Sequence, residues 1–205
     1  MNQQELIAML YRISKIMEEN RNYLIELDRV VGDSDLGLTM SDGFLAAYNT
    51  VSDGTELDLG KLLYMAGKTM GNKVPSTMGT LMAAGLMRAG KTLKGKTELT
   101  EHEVCLMFEA YEEGVADLGK AKPGDKTFLD GFHPGVQALG EKLESGQSLR
   151  EALKEAALKA NEGFEYTTTM IAVHGRAATR GEASRALKDP GAAVAALIMK
   201  AAADC

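Results

Sequence analysis

Three aspartates lie close together in the segment ELDRVVGDSDLGLTM, residues 26–40, where an apolar helical pattern ends. Negative charge is unfavourable at a helix C-terminus, which is the negative end of the helix dipole, and this is where Asp28, Asp33 and Asp35 lie. Three neighbouring carboxylates also repel one another unless a cation compensates their charge. Mg²⁺ and Ca²⁺ take oxygen ligands, so the segment predicts a divalent cation site, although its spacing does not fit an EF-hand loop. The alternative is that Asp33 and Asp35 cap the following helix while Asp28 is solvated.

A second segment, VPSTMGT at residues 74–80, has the composition of a helix start. Main-chain amides there, assisted by Ser76, Thr77 and Gly79, are suited to hold a phosphate, because a helix N-terminus attracts anions. The alternative is an ordinary capped helix. The sequence contains no Walker A motif, so a nucleotide site would be of another design.

The segment HGRAATRGEASRALKDPG, residues 174–191, interrupts the helical pattern with glycines, a proline and basic residues. Arg176, Arg180 or Arg185 is suited to meet an anionic phosphate if this segment acts as a lid. A solvated basic loop is the alternative. The segment KPGDKT, residues 122–127, is by itself more typical of a turn than of a binding loop.

Composition limits the class of protein. The 205 residues are 45% hydrophobic and 5% aromatic, with no Trp and a net charge of −6, which argues against nucleic-acid binding. Cys105 and Cys205 lack CxxC spacing and are interpreted as reduced thiols. The first residues do not resemble a signal peptide. No uninterrupted apolar run approaches the length of a membrane helix, which needs about 18 residues. We therefore expect a cytoplasmic protein that contacts no membrane.

Apolar periodicity predicts about eight helices and no strand, hence an all-α single domain over residues 1–205, built as an up-and-down bundle or barrel. One long first helix is expected to end near Val31, with Gly32 as a left-handed residue after it. Pro75 is expected in the first turn of a later helix, capped by Ser76 or Thr77. The remaining predicted helices cover approximately residues 35–49, 59–70, 104–118, a stretch from Asp125 or Lys126 to 144, residues 148–173 and residues 192–203.

Four ordered motifs are similar to those of a known family. LDRVVGDSDLGLTMSDGF, GKAKPGDKT, GRAATRGEAS and DPGAA together resemble the nucleotide-binding L subunit of dihydroxyacetone kinases, over about residues 20–200. The resemblance implies an eight-helix barrel with ADP or ATP at one end. It also implies two Mg²⁺ ions held by Asp28, Asp33 and Asp35 and bridged to the nucleotide phosphates.

The same resemblance assigns further residues to the site. Catalytic roles fall to the three aspartates and Arg176, and phosphate contacts to the run after the aspartates and to the helix start at 76–79. Gly119 and Phe128 flank the expected place of the base, and the end of the lid closes over it. The implied nucleotide-binding residues are Leu36, Gly37, Leu38, Thr39, Ser76, Thr77, Met78, Gly79, Gly119, Phe128, Arg176, Asp189, Pro190 and Gly191.

Two departures from the family pattern affect expected phosphate contacts. The family usually reads GDGDHG or GDADHG, and this chain has Leu36 in place of the histidine. The usual GGxSG is replaced by PSTMG, so Met78 cannot donate a serine hydroxyl, and Ser76, Thr77 or Thr80 would have to substitute. These changes point to a paralogous branch that serves another short ketose or sugar.

By resemblance, the chain is an incomplete kinase whose K-type partner subunit carries the ketone substrate. The phosphoryl donor is either free ATP or a retained ADP that a phosphotransferase-system protein rephosphorylates. A homodimer is compatible with this assembly. The alternative is a regulatory module that senses nucleotide without its own catalysis, which the changes at Leu36 and Met78 keep open.

Overall fold

A computed structural model describes residues 1–204, so Cys205 lies outside the described residues. Those residues form nine α-helices, two 3₁₀ segments and no β-strand. The 3₁₀ segments are Thr167–Thr169 and Arg176–Ser184. The α-helices are α1 (Gln3–Glu19), α2 (Arg21–Val31), α3 (Leu36–Val51), α4 (Leu59–Lys73), α5 (Thr77–Thr92), α6 (Glu101–Gly119), α7 (Phe128–Glu144), α8 (Leu149–Tyr166) and α9 (Pro190–Ala203).

The expected long first helix is in fact two helices, which is why nine form instead of eight. The break falls at Asn20, whose side-chain amide donates to the Ile16 carbonyl at 2.8 Å while its own N–H bonds the same carbonyl at 3.1 Å. An Asn side chain that bonds the main chain locally competes with helix continuation. The apolar stripe continues through the break, so periodicity alone does not reveal it.

Side-chain caps explain most of the helix starts. Capping boxes, in which the N-cap and the third helical residue bond each other's amides, begin α1, α6, α7 and α8. Ser76 caps α5, as expected, but Pro75 lies before the cap and not in the first turn. Thr127 caps α7, so the expected start at Asp125 or Lys126 is wrong, and α8 ends at Tyr166 instead of continuing to residue 173.

The helices form a closed ring with one continuous apolar core. Around the ring, α3, α4, α5, α6, α7, α9 and α1 pack in that order and α1 returns to α3, while α8 packs on α7 and α9. Contacts between neighbours put the starts of α3, α5, α7 and α9 at the same end as the last turns of α4, α6 and α8. The all-α expectation is confirmed. No helix within residues 1–204 combines the length and apolarity needed to cross a membrane.

Helices α4 and α5 pack main chain to main chain. A Cβ built on Gly90 would lie 2.5 Å from the Gly60 carbonyl oxygen and 2.6 Å from the Tyr64 amide nitrogen. Neither main-chain atom can rotate away, as a side chain would. Gly140 in α7 offers a contrast, because its added Cβ would meet only the Cys105 sulfur at 3.6 Å.

We therefore expect Gly90→Ala to lower the free energy of unfolding by about 1–3 kcal/mol, because the methyl group forces α4 and α5 apart. The matched substitution Gly140→Ala should raise it by about 0.5–1 kcal/mol, since alanine restricts the unfolded chain and meets no close atom. Guanidinium denaturation followed by circular dichroism measures both. Equal stability of the two variants would contradict the close α4–α5 contact.

Candidate functional site

The three aspartates converge where α2 ends and α3 begins. Each of Asp28, Asp33 and Asp35 offers a carboxylate oxygen such that all three oxygens lie within 4.8 Å of one another. Asp28 is half-buried and the other two are exposed. Three hard oxygen donors at this spacing fit a divalent cation of the Mg²⁺ or Ca²⁺ type. We call these three residues the aspartate cluster.

Asp28 organises the turn between the two helices. Its Oδ2 accepts hydrogen bonds from the amides of Asp35 at 3.1 Å and Leu36 at 3.3 Å, the first amides of α3. Asp35 stands at the N-cap position, but its side chain makes no capping bond. The alternative in which Asp35 caps α3 and Asp28 is merely solvated is therefore wrong, because the side chain that serves the helix start is Asp28.

Two backbone positions make this tight turn possible. A Cβ on Gly32 would lie 2.0 Å from Asp28 Oδ1, so glycine is required for close approach. Its φ of −131° corrects the expectation of a left-handed residue there. The left-handed residue is instead Ser34, with φ of 68°, which reverses the chain between Asp33 and Asp35.

Arg176 joins the cluster from a distant part of the chain. Its Nη2 lies 2.5 Å from Asp33 Oδ2, across 143 positions of sequence, and both side chains are exposed. Partial desolvation raises the pKa of Asp35 above its ordinary value although its side chain is exposed, and Asp33 and Asp28 raise it further, while Arg176 opposes the shift. One guanidinium thus compensates only part of the repulsion among three carboxylates.

The main-chain amides at the start of α5 are only partly satisfied by hydrogen bonds. Ser76 Oγ accepts from the Gly79 amide at 3.1 Å. Within residues 1–204, the amides of Thr77 and Met78 have no acceptor in hydrogen-bond range. The Met78 side chain packs against the core, and among residues 76–79 only Thr77 is exposed. This helix start lies at the same end of the bundle as the aspartate cluster, as the expected phosphate role requires.

Most of the run after the aspartates faces inward. Leu36 is 4% exposed and belongs to the core, and a Cβ on Gly37 would meet the Arg21 carbonyl oxygen at 2.1 Å. Thr39 is also buried, whereas Leu38 is 40% exposed. The Leu36 amide already donates to Asp28, and the leucine side chain has no donor. Leu36 therefore offers no free hydrogen-bond donor for the expected phosphate contact.

The residues expected around the base are partly structural. The Phe128 ring is 2% exposed and stacks on Phe132 with centroids 4.9 Å apart, so a contact with a base would need the ring to move. Gly119 ends α6 and is partly exposed beside Leu81. Both lie at the cluster's end of the bundle, but neither contacts the aspartates within the described residues.

The expected end of the lid forms the start of α9. Asp189 caps this helix, with its Oδ1 2.7 Å from the Ala192 amide, and Pro190 and Gly191 form the buried first turn. Burial raises the pKa of Asp189 to about 7. These three residues therefore have a clear structural role, whatever they contact when a ligand is bound.

Sequence reasoning missed the position of Lys126. Its ammonium group is buried and hydrogen-bonds only to main-chain carbonyl oxygens of residues 170–187, the stretch that carries Arg176. Carbonyl acceptors leave no pattern of residue types, so no motif in the sequence indicates this contact.

Comparison with known proteins identifies the family. The DAK2 domain model matches residues 30–204. The ADP-binding subunit DhaL of the PEP-dependent dihydroxyacetone kinase of Escherichia coli (strain K12) is 34% identical over 96% of this chain and 93% of its own length. The L-erythrulose kinase of Pectobacterium atrosepticum is 31% identical over 95% of this chain, which spans only 33% of that enzyme.

Solved structures share the fold. The dihydroxyacetone kinase of C. freundii in its native form aligns over 97% of this chain and 34% of its own, with a TM-score of 0.75 and 21% identity. The same enzyme in complex with AMP-PNP and Mg²⁺ aligns with a TM-score of 0.66 over 97% of this chain and 33% of its own, at 20% identity. With the family match over residues 30–204 and the full-length similarity to the E. coli subunit, this chain belongs to the DAK2-domain family and is DhaL-like.

Proposed function

We propose that this chain is the nucleotide- and magnesium-binding subunit of a two-component kinase that phosphorylates a short ketose held by a K-type partner. The observation that carries the proposal is the convergence of three carboxylates within 4.8 Å, with the Arg176 guanidinium bonded to one of them. Phosphoryl transfer needs alignment and charge neutralisation more than covalent help from the protein. A carboxylate cluster beside an arginine suits that need.

The residues divide the work of holding a nucleotide polyphosphate. Asp28, Asp33 and Asp35 would hold the magnesium, two ions by family resemblance, which supplies charge neutralisation at the phosphates when bound. The free amides of Thr77 and Met78, at the N-terminus of α5, would bind phosphate oxygens of the nucleotide. Arg176 is positioned to exchange its bond with Asp33 for a phosphate oxygen. ADP or ATP is the ligand we propose, and the relative solved with AMP-PNP and Mg²⁺ supports this class.

The relatives favour a separate partner that carries the acceptor. This chain matches 93% of the E. coli protein named as a kinase subunit, but only 33% of the enzyme named L-erythrulose kinase. We infer that the ketose, dihydroxyacetone or a four-carbon analogue, binds to a K-type subunit. The donor is either ATP, or a retained ADP recharged by a phosphotransferase-system protein, as the name of the PEP-dependent relative suggests.

Reconstitution tests the proposal directly. The purified chain is combined with a K-type subunit, Mg²⁺ and a panel of triose and tetrose ketones, with ATP or with the phosphotransferase proteins and PEP as donor. Phosphorylated ketose above the background of each component alone is the expected result. If the chain binds ADP and magnesium but no combination yields product, the proposal gives way to a nucleotide-sensing regulatory module.

We expect Asp33→Asn to abolish the thermal stabilisation that ADP with Mg²⁺ gives to the wild-type chain, because the cluster loses one ligand charge. A ligand at about 100 times its Kd stabilises the folded state by about 2.7 kcal/mol, which calorimetry resolves easily. Asp42→Asn removes the same charge from an exposed site in α3 and should retain the full ligand effect.

Loss of the exposed Arg176–Asp33 ion pair should itself cost little stability, so Asp33→Asn is expected to fold normally without ligand. If Asp33→Asn is unfolded even with Mg²⁺ and nucleotide, the carboxylate has a structural role. If its ligand effect equals that of Asp42→Asn, Asp33 is no ligand.

The raised pKa of Asp35 predicts two opposite responses to pH. Folded Asp35 holds its proton more tightly than in the unfolded chain, so its charge destabilises the metal-free fold at neutral pH and protonation relieves this as pH falls. Mg²⁺ affinity should fall over the same range, above the ordinary aspartate value of about 3.9, because a protonated carboxyl no longer binds the cation.

Magnesium titrations and thermal unfolding over a pH series measure both responses, with Asp35→Asn as the reference that lacks the titrating group. In that variant the contribution of Asp35 to both profiles should disappear. Wild-type Mg²⁺ affinity that stays constant down to the ordinary aspartate range would contradict this assignment.

A further inference from the structure

The ammonium group of Lys126 is buried among main-chain carbonyls. The side chain is 2% exposed, and Nζ lies 2.6 Å from the carbonyl oxygens of Ser184 and Leu187, 3.1 Å from that of Arg185 and 3.3 Å from that of Met170. Within residues 1–204 it has no carboxylate in ion-pair contact. Burying a charge is costly unless it is fully hydrogen-bonded, so these four acceptors are what makes the position tenable.

The four acceptors close the base of one loop. Residues 171–187, which we call the arginine segment, carry Arg176, and the Lys126 acceptors lie just before this segment and in its last part. The neighbouring Asp125 adds two contacts, since its carbonyl accepts from the Val173 amide at 3.1 Å and its Oδ2 lies 3.1 Å from His174 Nε2. Residues 125 and 126 thus tie the two flanks of the arginine segment together.

The opposite side of the arginine segment is held weakly. It meets α2 through a small apolar cluster that is separate from the main core and consists of Val31, Ala172, Ala177 and Leu187. The Arg176–Asp33 ion pair is 67% and 45% exposed, and such pairs contribute little to stability. The location of the guanidinium therefore depends on the anchored base of the segment.

We propose that Lys126 is a positioning residue that fixes the arginine segment beside the aspartate cluster and so presents Arg176 to the bound nucleotide. The inference rests on the proposed function, in which Arg176 meets a phosphate. Lys126 itself touches neither the aspartates nor Arg176. It acts through the main chain that carries the guanidinium, and it lies two residues before Phe128, where α7 begins.

The test compares Lys126→Met with Lys120→Met. Lys120 lies in the same loop and has the same left-handed backbone, φ of 54° against 60° for Lys126, but its side chain is exposed. Methionine keeps an unbranched side chain, one atom shorter than that of lysine, and removes the N–H donors. Because the four carbonyls would lose their buried donor, trypsin should cleave after Arg176, Arg180 and Arg185 about ten- to a hundredfold faster in Lys126→Met than in the wild type, and at the wild-type rate in Lys120→Met.

A double-mutant cycle separates positioning from general destabilisation. Mg²⁺-dependent ADP binding is measured by calorimetry for Lys126→Met, Arg176→Ala and the double variant. If Lys126 acts through Arg176, Lys126→Met weakens binding about as much as Arg176→Ala, and the double variant binds no more weakly than Arg176→Ala alone. A purely structural role predicts independent effects that multiply.

Equal cleavage rates in Lys126→Met and Lys120→Met, or multiplied binding losses in the double variant, overturn the proposal. If Lys126→Met does not fold, Lys126→Gln replaces it in both measurements, since the amide retains two donors and leaves no charge to bury, and a smaller change of the same kind is expected. A wild-type chain that binds no ADP with Mg²⁺ refutes the proposed function instead, and the cleavage rates then decide alone whether Lys126 anchors the segment.

Discussion

The structure depends on holding three mutually repelling carboxylates at the join of two helices. Arg176 supplies a single positive charge, so it compensates only part of the repulsion among the three carboxylates. The turn is instead fixed by the Asp28 carboxylate, which bonds the first two amides of the α3 start, and by the absence of a side chain at Gly32. Asp28 therefore shapes the turn, and its carboxylate is also one of the three that we propose as cation ligands.

The bundle supplies the rest of the site by its topology. Because α4 runs antiparallel to both α3 and α5, the start of α5 lies at the same end as the aspartate cluster, and two of its amides have no hydrogen-bond acceptor within residues 1–204. Under the proposed function, magnesium bound to the carboxylates and the amides at the start of α5 would both attract a chain of phosphates. The arginine segment brings Arg176 to Asp33 from a distant part of the chain, and Lys126 bonds main-chain carbonyls at the base of that segment.

A structural feature can be predicted from the sequence when it leaves a pattern of residue types along the chain. Helix periodicity, caps such as Ser76 and the clustered aspartates are all local, and the structure agrees with them. The break at Asn20 could not be predicted, because the apolar stripe runs through it. The contacts of Lys126 and the pairing of Arg176 with Asp33 join distant parts of the chain, and the first uses main-chain acceptors that no residue type encodes.

The replacement of histidine by Leu36 bears on whether the site can work at all. In this chain the Leu36 side chain is 4% exposed within the core, and its amide is bonded to Asp28. The leucine side chain packs the start of α3 against the core, and the amides at that start bond the Asp28 carboxylate. With leucine at this position, the three carboxylates converge and Arg176 bonds Asp33. Since magnesium and phosphate are to be held by those groups and by the α5 amides, the departure at Leu36 is a weak argument for a purely regulatory module.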